Sequence, residues 1–410
     1  MDLWVLDHSR KTFWPDFFAF LMAATLPWST TALGLITVLW LISVVPILNV
    51  KDFSETLKRP ECLAAVTLFG LGVTGMLWSE APWVSRIHAT ASLAKLLAVP
   101  VLLYQFERSK RGHVVFIAFL ISCSTLLVMS WLNWIDPQLV TSRVNVPGVI
   151  VKNWITQGQE FLICAFGCGL LSVLAWRSGK IFYVGLFASL SAAFIANMVF
   201  VVSSRTALVS LPLLLVLLAT LYLNWRRLAL VAMALIVAAC ALWLGSPYLR
   251  ERIESINSQL IDYKTNNAET SAGLRLLYWT KSLKFISAAP LVGHGTGSIR
   301  SLFERDTSGK EVSPNEIVAN PHNQTLYFGI EWGTLGMITL FSMWIIHFLL
   351  FCGSGWPAFM GTIIVAQNFF ASLFNSHISD YVEGWIYVIG VGVAAGTLTR
   401  IRSEVRLPTT

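Results

Sequence analysis

The chain has 410 residues, 55% of them hydrophobic and only 12% charged, against about 25% charged residues in an ordinary soluble domain. That balance excludes a soluble globular enzyme and points to an integral membrane protein. The formal charge of +7 does not call for nucleic acid as a partner, because basic residues in short cytoplasmic loops set the topology of a polytopic chain.

Twelve apolar runs follow one another, at about 15–29, 31–48, 62–78, 87–106, 114–135, 158–176, 181–202, 206–224, 228–246, 325–350, 356–374 and 381–399. Each approaches the length needed to cross a hydrocarbon core of roughly 30 Å. Segments exposed to lipid must satisfy their own backbone groups, so these runs are expected to be helices and the fold class all-α. Arg10 and Lys11 precede a short apolar run that continues into further spans instead of ending in a cleavable leader. Trp28-Ser29 is the only break between the first two spans. Cys62, Cys123, Cys164, Cys168, Cys240 and Cys352 lie in or beside apolar runs without a CxxC pair, and read as packing residues. No internal repeat is visible, nor the paired broken helices of many transporters.

Residues 247–324 interrupt this rhythm as a long polar insert, so the chain divides into 1–246, 247–324 and 325–410. Leu249, Ile253, Ile256, Leu260 and Tyr263 recur at helical spacing. A second helix is expected from about Ser271 to Ser287, ended by Pro290 and Gly293, with Leu274, Leu277, Tyr278 and Leu283 on its apolar face.

Counting basic residues orients the chain. With the N-terminus in the cytoplasm, the inner segments hold fifteen: Arg10, Lys11, Lys51, Lys58, Arg59, Arg108, Lys110, Arg111, Arg177, Lys180, Arg226, Arg227, Arg400, Arg402 and Arg406. The short outer segments hold four, Arg86, Arg143, Lys152 and Arg205. Both termini are therefore expected in the cytoplasm and the insert outside.

Four features of the outer side could carry chemistry. Arg205 stands where two spans meet almost without a loop, and a guanidinium at that depth normally has a partner and a purpose; the alternative is a snorkelling or topological arginine. Arg275 lies in the second insert helix, against the alternative of a solvated charge. In Asn320-Pro321-His322-Asn323, Pro321 disfavours helix at Asn320. His322 then sits near a helix N-terminus, where the dipole favours the neutral imidazole that a general base requires. Last, Phe374-Asn375-Ser376-His377-Ile378-Ser379-Asp380-Tyr381-Val382-Glu383-Gly384 packs three ionisable groups into a loop between two spans, with His377 and Asp380 as a hydrogen-bonded clasp or part of an acceptor pocket. Gly293-His294-Gly295-Thr296-Gly297 lacks the lysine and spacing of a nucleotide loop and reads as a turn. No HExxH, DxD-type cluster, serine elbow or Walker motif is present, so no metal and no cofactor are expected.

These residues together resemble the O-antigen ligase and polymerase superfamily of bacterial envelope glycosyltransferases. The resemblance covers the layout of the whole chain and is sharpest at Ser203-Ser204-Arg205-Thr206-Ala207, the Arg275 helix leading to Pro290-Leu291-Val292-Gly293-His294-Gly295, and Pro321-His322-Asn323. Ser372-Leu373-Phe374-Asn375-Ser376-His377 looks more like the ligase branch. The resemblance implies a GT-C-like fold of about twelve membrane helices in the bacterial inner membrane, with its active site on the periplasmic face. It implies transfer of polysaccharide from undecaprenyl diphosphate-linked O-antigen to lipid A-core, metal-independent and inverting, in lipopolysaccharide biosynthesis, with membrane lipids around it. In that reading His322 is the catalytic base and Arg205 and Arg275 bind the donor diphosphate. Asn323, His377, Asp380 and Arg143 bind acceptor or support the site. The rivals are a polymerase, with a second lipid-linked glycan as acceptor, and a transporter of lipid-linked glycan. Nine insert cations, Arg250, Arg252, Lys264, Arg275, Lys281, Lys284, Arg300, Arg305 and Lys310, favour the densely anionic lipid A-core if they cluster.

Overall fold

The computed structural model describes residues 11–406 apart from 203, 246, 267–268 and 309–312. Arg10, Ser203 and Lys310 lie outside the described residues, as do the side chains of Leu249, Arg252, Ile253, Ile256, Leu260, Lys264 and Arg406. Each apolar run forms helix. The first nine runs correspond to α1 (Phe13–Thr25), α2 (Thr30–Val44), α4 (Pro60–Thr74), α5 (Trp83–Leu93) with α6 (Ala98–Arg108), α7 (Gly112–Ile135), α8 (Trp154–Arg177), α9 (Ile181–Phe200), α10 (Arg205–Tyr222) and α11 (Trp225–Gly245). The last three are α15 (Gln324–Leu350), α16 (Trp356–Ser372) and α17 (Tyr381–Arg406). A short α3 (Val50–Leu57) joins α2 to α4, and the insert folds as α12 (Pro247–Asn266), α13 (Ser271–Ala288) and α14 (Ile299–Thr307). Among the described residues, eight helical segments are long and apolar enough to cross a membrane, α5 and α6 counting as one, while α1 and α4 are shorter apolar helices. The protein is an all-α polytopic membrane protein.

Local chemistry explains the helix ends. Ser29 accepts from Ala32 N at 3.2 Å and so caps α2 at the Trp28-Ser29 break. Asn49 and Asn153 cap α3 and α8 in the same way. α17 is the most enclosed of the eight spans and packs on α6 and α16. Gly392 and Gly396, four residues apart, make the α6 contact: a Cβ at either would lie 2.5 Å from Leu102 Cβ or Leu103 O. Lipid offers no hydrophobic drive between helices, so such close approach of backbones supplies the association.

Two helices are broken, contrary to the expectation of continuous spans. The run at 87–106 is split by a 3-10 turn at Ala94–Leu97. Pro100 cannot donate to the carbonyl of Leu96 and its ring crowds that carbonyl, so the α-helix cannot pass. Lys95 stands at this break. The second break lies in α15, where Trp332 and Gly333 leave helical geometry and Gly333 takes φ 59°. Residues 290–297 fill it. His294 N and Gly295 N donate to the carbonyls of Ile330 and Glu331 at 2.9 and 2.8 Å, and Thr334 N and Leu335 N donate to Pro290 O and Leu291 O at 2.7 and 3.2 Å. Gly297 N reaches Glu331 Oε1 at 2.7 Å, and Thr296 Oγ1 joins Gly72 O to the Trp332 indole at 2.7 and 2.9 Å. The glycine-rich segment is thus a turn, as its sequence indicates. It splices the insert into α15 and the α4 end.

The second insert helix spans the expected residues and keeps Leu274 and Tyr278 on its inner face, but turns Leu283 outward. Tyr278, Ser282 and Phe285 are its buried positions toward the C-terminal end, and Tyr278 and Phe285 pack with Ile299, Phe303 and Ile330. Leu283 is exposed. α13 therefore packs against α14 and α15 with aromatic residues, which bury more surface than a leucine stripe would.

Candidate active site

The insert brings together residues that are far apart in sequence. Arg205 opens α10 directly after the short turn from α9, and its Nη2 donates to Ser255 Oγ on α12 at 3.3 Å. Arg275 lies in the second turn of α13, whose cap Thr270 accepts from Gly273 N at 3.2 Å. The two guanidinium groups feel each other: burial first, then the Arg205 charge, hold Arg275 below the ordinary arginine value. Like charges held in one place destabilise the protein without a ligand and are suited to an anion with several oxygens.

His322, in the segment before α15, feels the charge of Arg275. It takes φ 54°, the only non-glycine residue with positive φ among the described residues; such strain costs on the order of 1–3 kcal/mol and collects at functional sites. Asn320 maintains it, its Oδ1 accepting from His322 N at 2.9 Å and from Ser376 Oγ at 2.7 Å. Trp279 Nε1 donates to Pro321 O at 3.1 Å, and the imidazole lies 6.2 Å from the Tyr278 ring at 31°. Burial, and then the Arg275 charge, push the His322 pKa down; the Asp380 carboxylate and a hydrogen bond with Asn375 oppose them. The imidazole is thus favoured neutral, as its sequence position before a helix suggests, but the leading cause is burial.

The 373–380 loop closes on the same segment. Gln324 is fully buried; its Oε1 accepts from Ile378 N at 2.8 Å and Ser379 N at 3.2 Å, and its Nε2 donates to Ser379 Oγ at 3.0 Å. Asn323 caps α15 through Leu326 N at 3.1 Å and donates to Leu373 O at 2.9 Å, so of its two expected roles it fills the structural one. His377 is 1% exposed, lies 3.5 Å from Asp380 Oδ2, and hydrogen-bonds through neither ring nitrogen among the described residues. The expected clasp is thus a close approach and not a hydrogen bond. Arg143 is exposed on the loop before α8, and no described contact joins it to the other site residues.

His377, Asp380 and Glu383 offer ligand atoms within 4.8 Å of one another, a set that could hold a divalent cation. A cation of the chain is already there: Lys95, at the α5–α6 break, donates Nζ to Asp380 O at 2.5 Å and Ser379 O at 3.3 Å. Glu383 accepts from Thr156 Oγ1 at 2.5 Å. Sequence reading passed over Lys95, and it named Asn320, Asn375 and Tyr278 without giving them a role at the site. A lysine inside an apolar run is a signal available in the sequence, whereas Asn375 bonds His322 across a distance that no local pattern spans.

Residues 190–341 match the protein family described as O-antigen ligase. Over that stretch the chain is similar to the O-antigen ligase family. That stretch runs from α9 to the first half of α15 and contains Arg205, Arg275 and His322. A segment of 119 residues is also 26% identical to an uncharacterised protein of Haemophilus influenzae, covering 28% of this chain and 30% of that protein's length.

Proposed function

We propose that the protein is an O-antigen ligase of the bacterial inner membrane, which transfers polysaccharide from undecaprenyl diphosphate to a sugar of lipid A-core. The observation that carries this reading is the meeting of Arg205, Arg275 and a neutral His322 within the stretch that matches the O-antigen ligase family. The two guanidinium groups hold the donor diphosphate and stabilise the charge that develops as the glycosidic C–O bond breaks. A diphosphate leaves without a general acid. His322 takes the proton of the acceptor hydroxyl as that oxygen attacks the anomeric carbon, and a single displacement inverts the centre. Asn375 accepts from the imidazole and fixes which nitrogen faces the acceptor, while Asp380 favours the imidazolium that forms. The site lies on the periplasmic face, with both termini cytoplasmic, in keeping with the basic-residue count.

The expected field of insert cations is largely cancelled. Lys281 lies 3.4 Å from Asp306 and 3.5 Å from Glu316, Lys284 lies 2.5 Å from Asp306, Arg300 2.9 Å from Glu304 and Arg305 2.8 Å from Glu80. The choice of ligase over polymerase therefore leans on the 372–377 segment. The reading is tested by reconstituting the purified protein with lipid-linked glycan and lipid A-core, without ATP and with excess EDTA. Transfer is expected to proceed. Loss with EDTA and recovery with a divalent ion would move the chemistry to His377, Asp380 and Glu383. In a deletion strain, long polymers on undecaprenyl diphosphate beside bare lipid A-core are expected. Core bearing single repeat units would point to a polymerase instead.

The pH dependence has a definite sign. A base with a lowered pKa stays deprotonated to lower pH, so the acid limb of kcat/KM should fall below the usual histidine value of about 6.5. Asp380→Asn removes a group that raises the His322 pKa, and should move the limb to still lower pH. Arg275→Gln removes one that lowers it, and should move the limb up. Limbs that stay fixed in both variants would exclude His322 as the titrating base.

A further inference from the structure

We propose that the pocket between the α4–α5 loop, the 293–298 loop and α14 is a saccharide subsite that holds one sugar ring of a glycan substrate away from the reacting hydroxyl. The inference rests on the glycosyl-transfer reading and extends it to specificity. The pocket has a volume of about 180 Å³ and is lined by Trp78, Glu80, His294, Ser298, Ser301 and Arg305, among others.

Its walls are fixed in place. Trp78 donates Nε1 to Val292 O at 3.1 Å while 37% of the residue stays exposed, and His294 Nε2 lies 2.9 Å from Phe285 O. The splice at the α15 break holds the loop between them. A pocket that keeps its shape without ligand spends little binding energy on ordering.

The lining chemistry selects the ligand class. Glu80 and Arg305 pair at 2.8 Å, so neither leaves an uncompensated charge for a phosphate or carboxylate. Ser298 is 4% exposed, and its hydroxyl makes no hydrogen bond among the described residues. A buried hydroxyl without a partner is costly, and a ligand hydroxyl would complete it. An indole face beside fixed polar groups suits a ring with an apolar face and a rim of hydroxyls. A neutral sugar ring has that form.

Position agrees with chemistry. Tyr278 faces His322, and Phe285, whose carbonyl meets His294, lies seven residues further along α13, about 10 Å at the helical rise. The pocket therefore stands where a neighbouring sugar of a bound oligosaccharide would lie, not the sugar that reacts. That glycan belongs either to the acceptor core or to the donor polymer.

Transfer kinetics with donors of one or many repeat units, and with complete or truncated core acceptors, separate these sources. Trp78→Ala removes the platform, Ser301→Trp fills the pocket, and Trp78→Phe keeps an aromatic face. The first two should raise KM for one glycan substrate about tenfold at unchanged kcat, and the effect should vanish when that substrate is truncated. Trp78→Phe should restore most of the affinity. The substrate that responds identifies the source. Saturation-transfer NMR with deacylated core oligosaccharide and with a repeat-unit oligosaccharide gives a readout independent of turnover. Binding lost in Ser301→Trp, in a protein that transfers nothing, would retain the subsite and refute the transfer reading. Unchanged KM for every substrate and unchanged NMR signals in variants of normal kcat would overturn the subsite and leave the transfer reading intact.

Discussion

Replacing His322 should lower kcat by roughly 10²–10⁴-fold, the range for loss of a general base, while donor affinity stays close to normal. The split follows from geometry: the imidazole bonds Asn375 and lies against Tyr278, whereas the charges proposed to bind the anion are those of Arg205 and Arg275. The choice of substitution matters because the backbone here has φ 54°. Alanine keeps the Cβ that makes this conformation costly and loses the polar side chain with which histidine tolerates it, so His322→Ala mixes a chemical with a conformational effect. Asparagine tolerates it, and His322→Asn should keep the 320–324 segment in place while removing the base. Donor binding measured on a labelled lipid-linked glycan, beside single-turnover transfer, separates the two steps. Near wild-type turnover in His322→Asn would make the histidine a loop anchor and leave catalysis to charge alone.

Removing either arginine should cost transfer, and removing Arg275 should help stability. Arg205→Met and Arg275→Met each take away a donor to the developing charge, and kcat/KM is expected to fall about 10²–10³-fold, as for loss of one electrostatic stabiliser in a preorganised site. Arg205→Lys and Arg275→Lys keep the charge but lose the planar fork, so they should fall between wild type and the methionine variants. In the free protein the arginines repel each other, so at least Arg275→Met should raise the thermal midpoint in detergent. Added pyrophosphate should stabilise the wild type and fail to stabilise either methionine variant. A pair that served only to brace the insert would give the reverse: lower midpoints and intact transfer.

The spans were legible because lipid imposes a simple rule, about 20 apolar residues per crossing helix; every run forms helix, and eight helical segments meet the rule among the described residues while α1 and α4 fall short of it. The breaks in those helices were not. Pro100 is visible in the sequence, but a lysine in the broken turn reaches Asp380, 285 positions away. The α15 break depends on carbonyls and amides contributed by residues 290–297, which no local pattern reveals. Arg205, Arg275 and His322 were legible one by one, as charged or titratable groups where apolar helices begin or turn back. Their supports were not, because Asn320, Gln324 and Asn375 act through side-chain bonds to a loop fifty residues distant. The inner face of α13 was misread at Leu283, since leucine and aromatic positions compete for the same helical spacing and only the partners Ile299, Phe303 and Ile330 decide between them.

The splice at Trp332 and Gly333 bears on how the protein is made. A helix entering lipid with an open break would carry Ile330 and Glu331 carbonyls and Thr334 and Leu335 amides without partners, each costing several kcal/mol in hydrocarbon. Those partners are supplied by residues 290–297, which leave the ribosome before α15 does. The α4 end that receives Thr296 is made earlier still. Biosynthesis therefore has a built-in order, in which the insert must fold back onto α4 before α15 can settle. Until then α15 is better held at a protein-lined or aqueous boundary than released to lipid. The final three spans, and the loop that completes the surroundings of His322, join a site whose other half is already waiting.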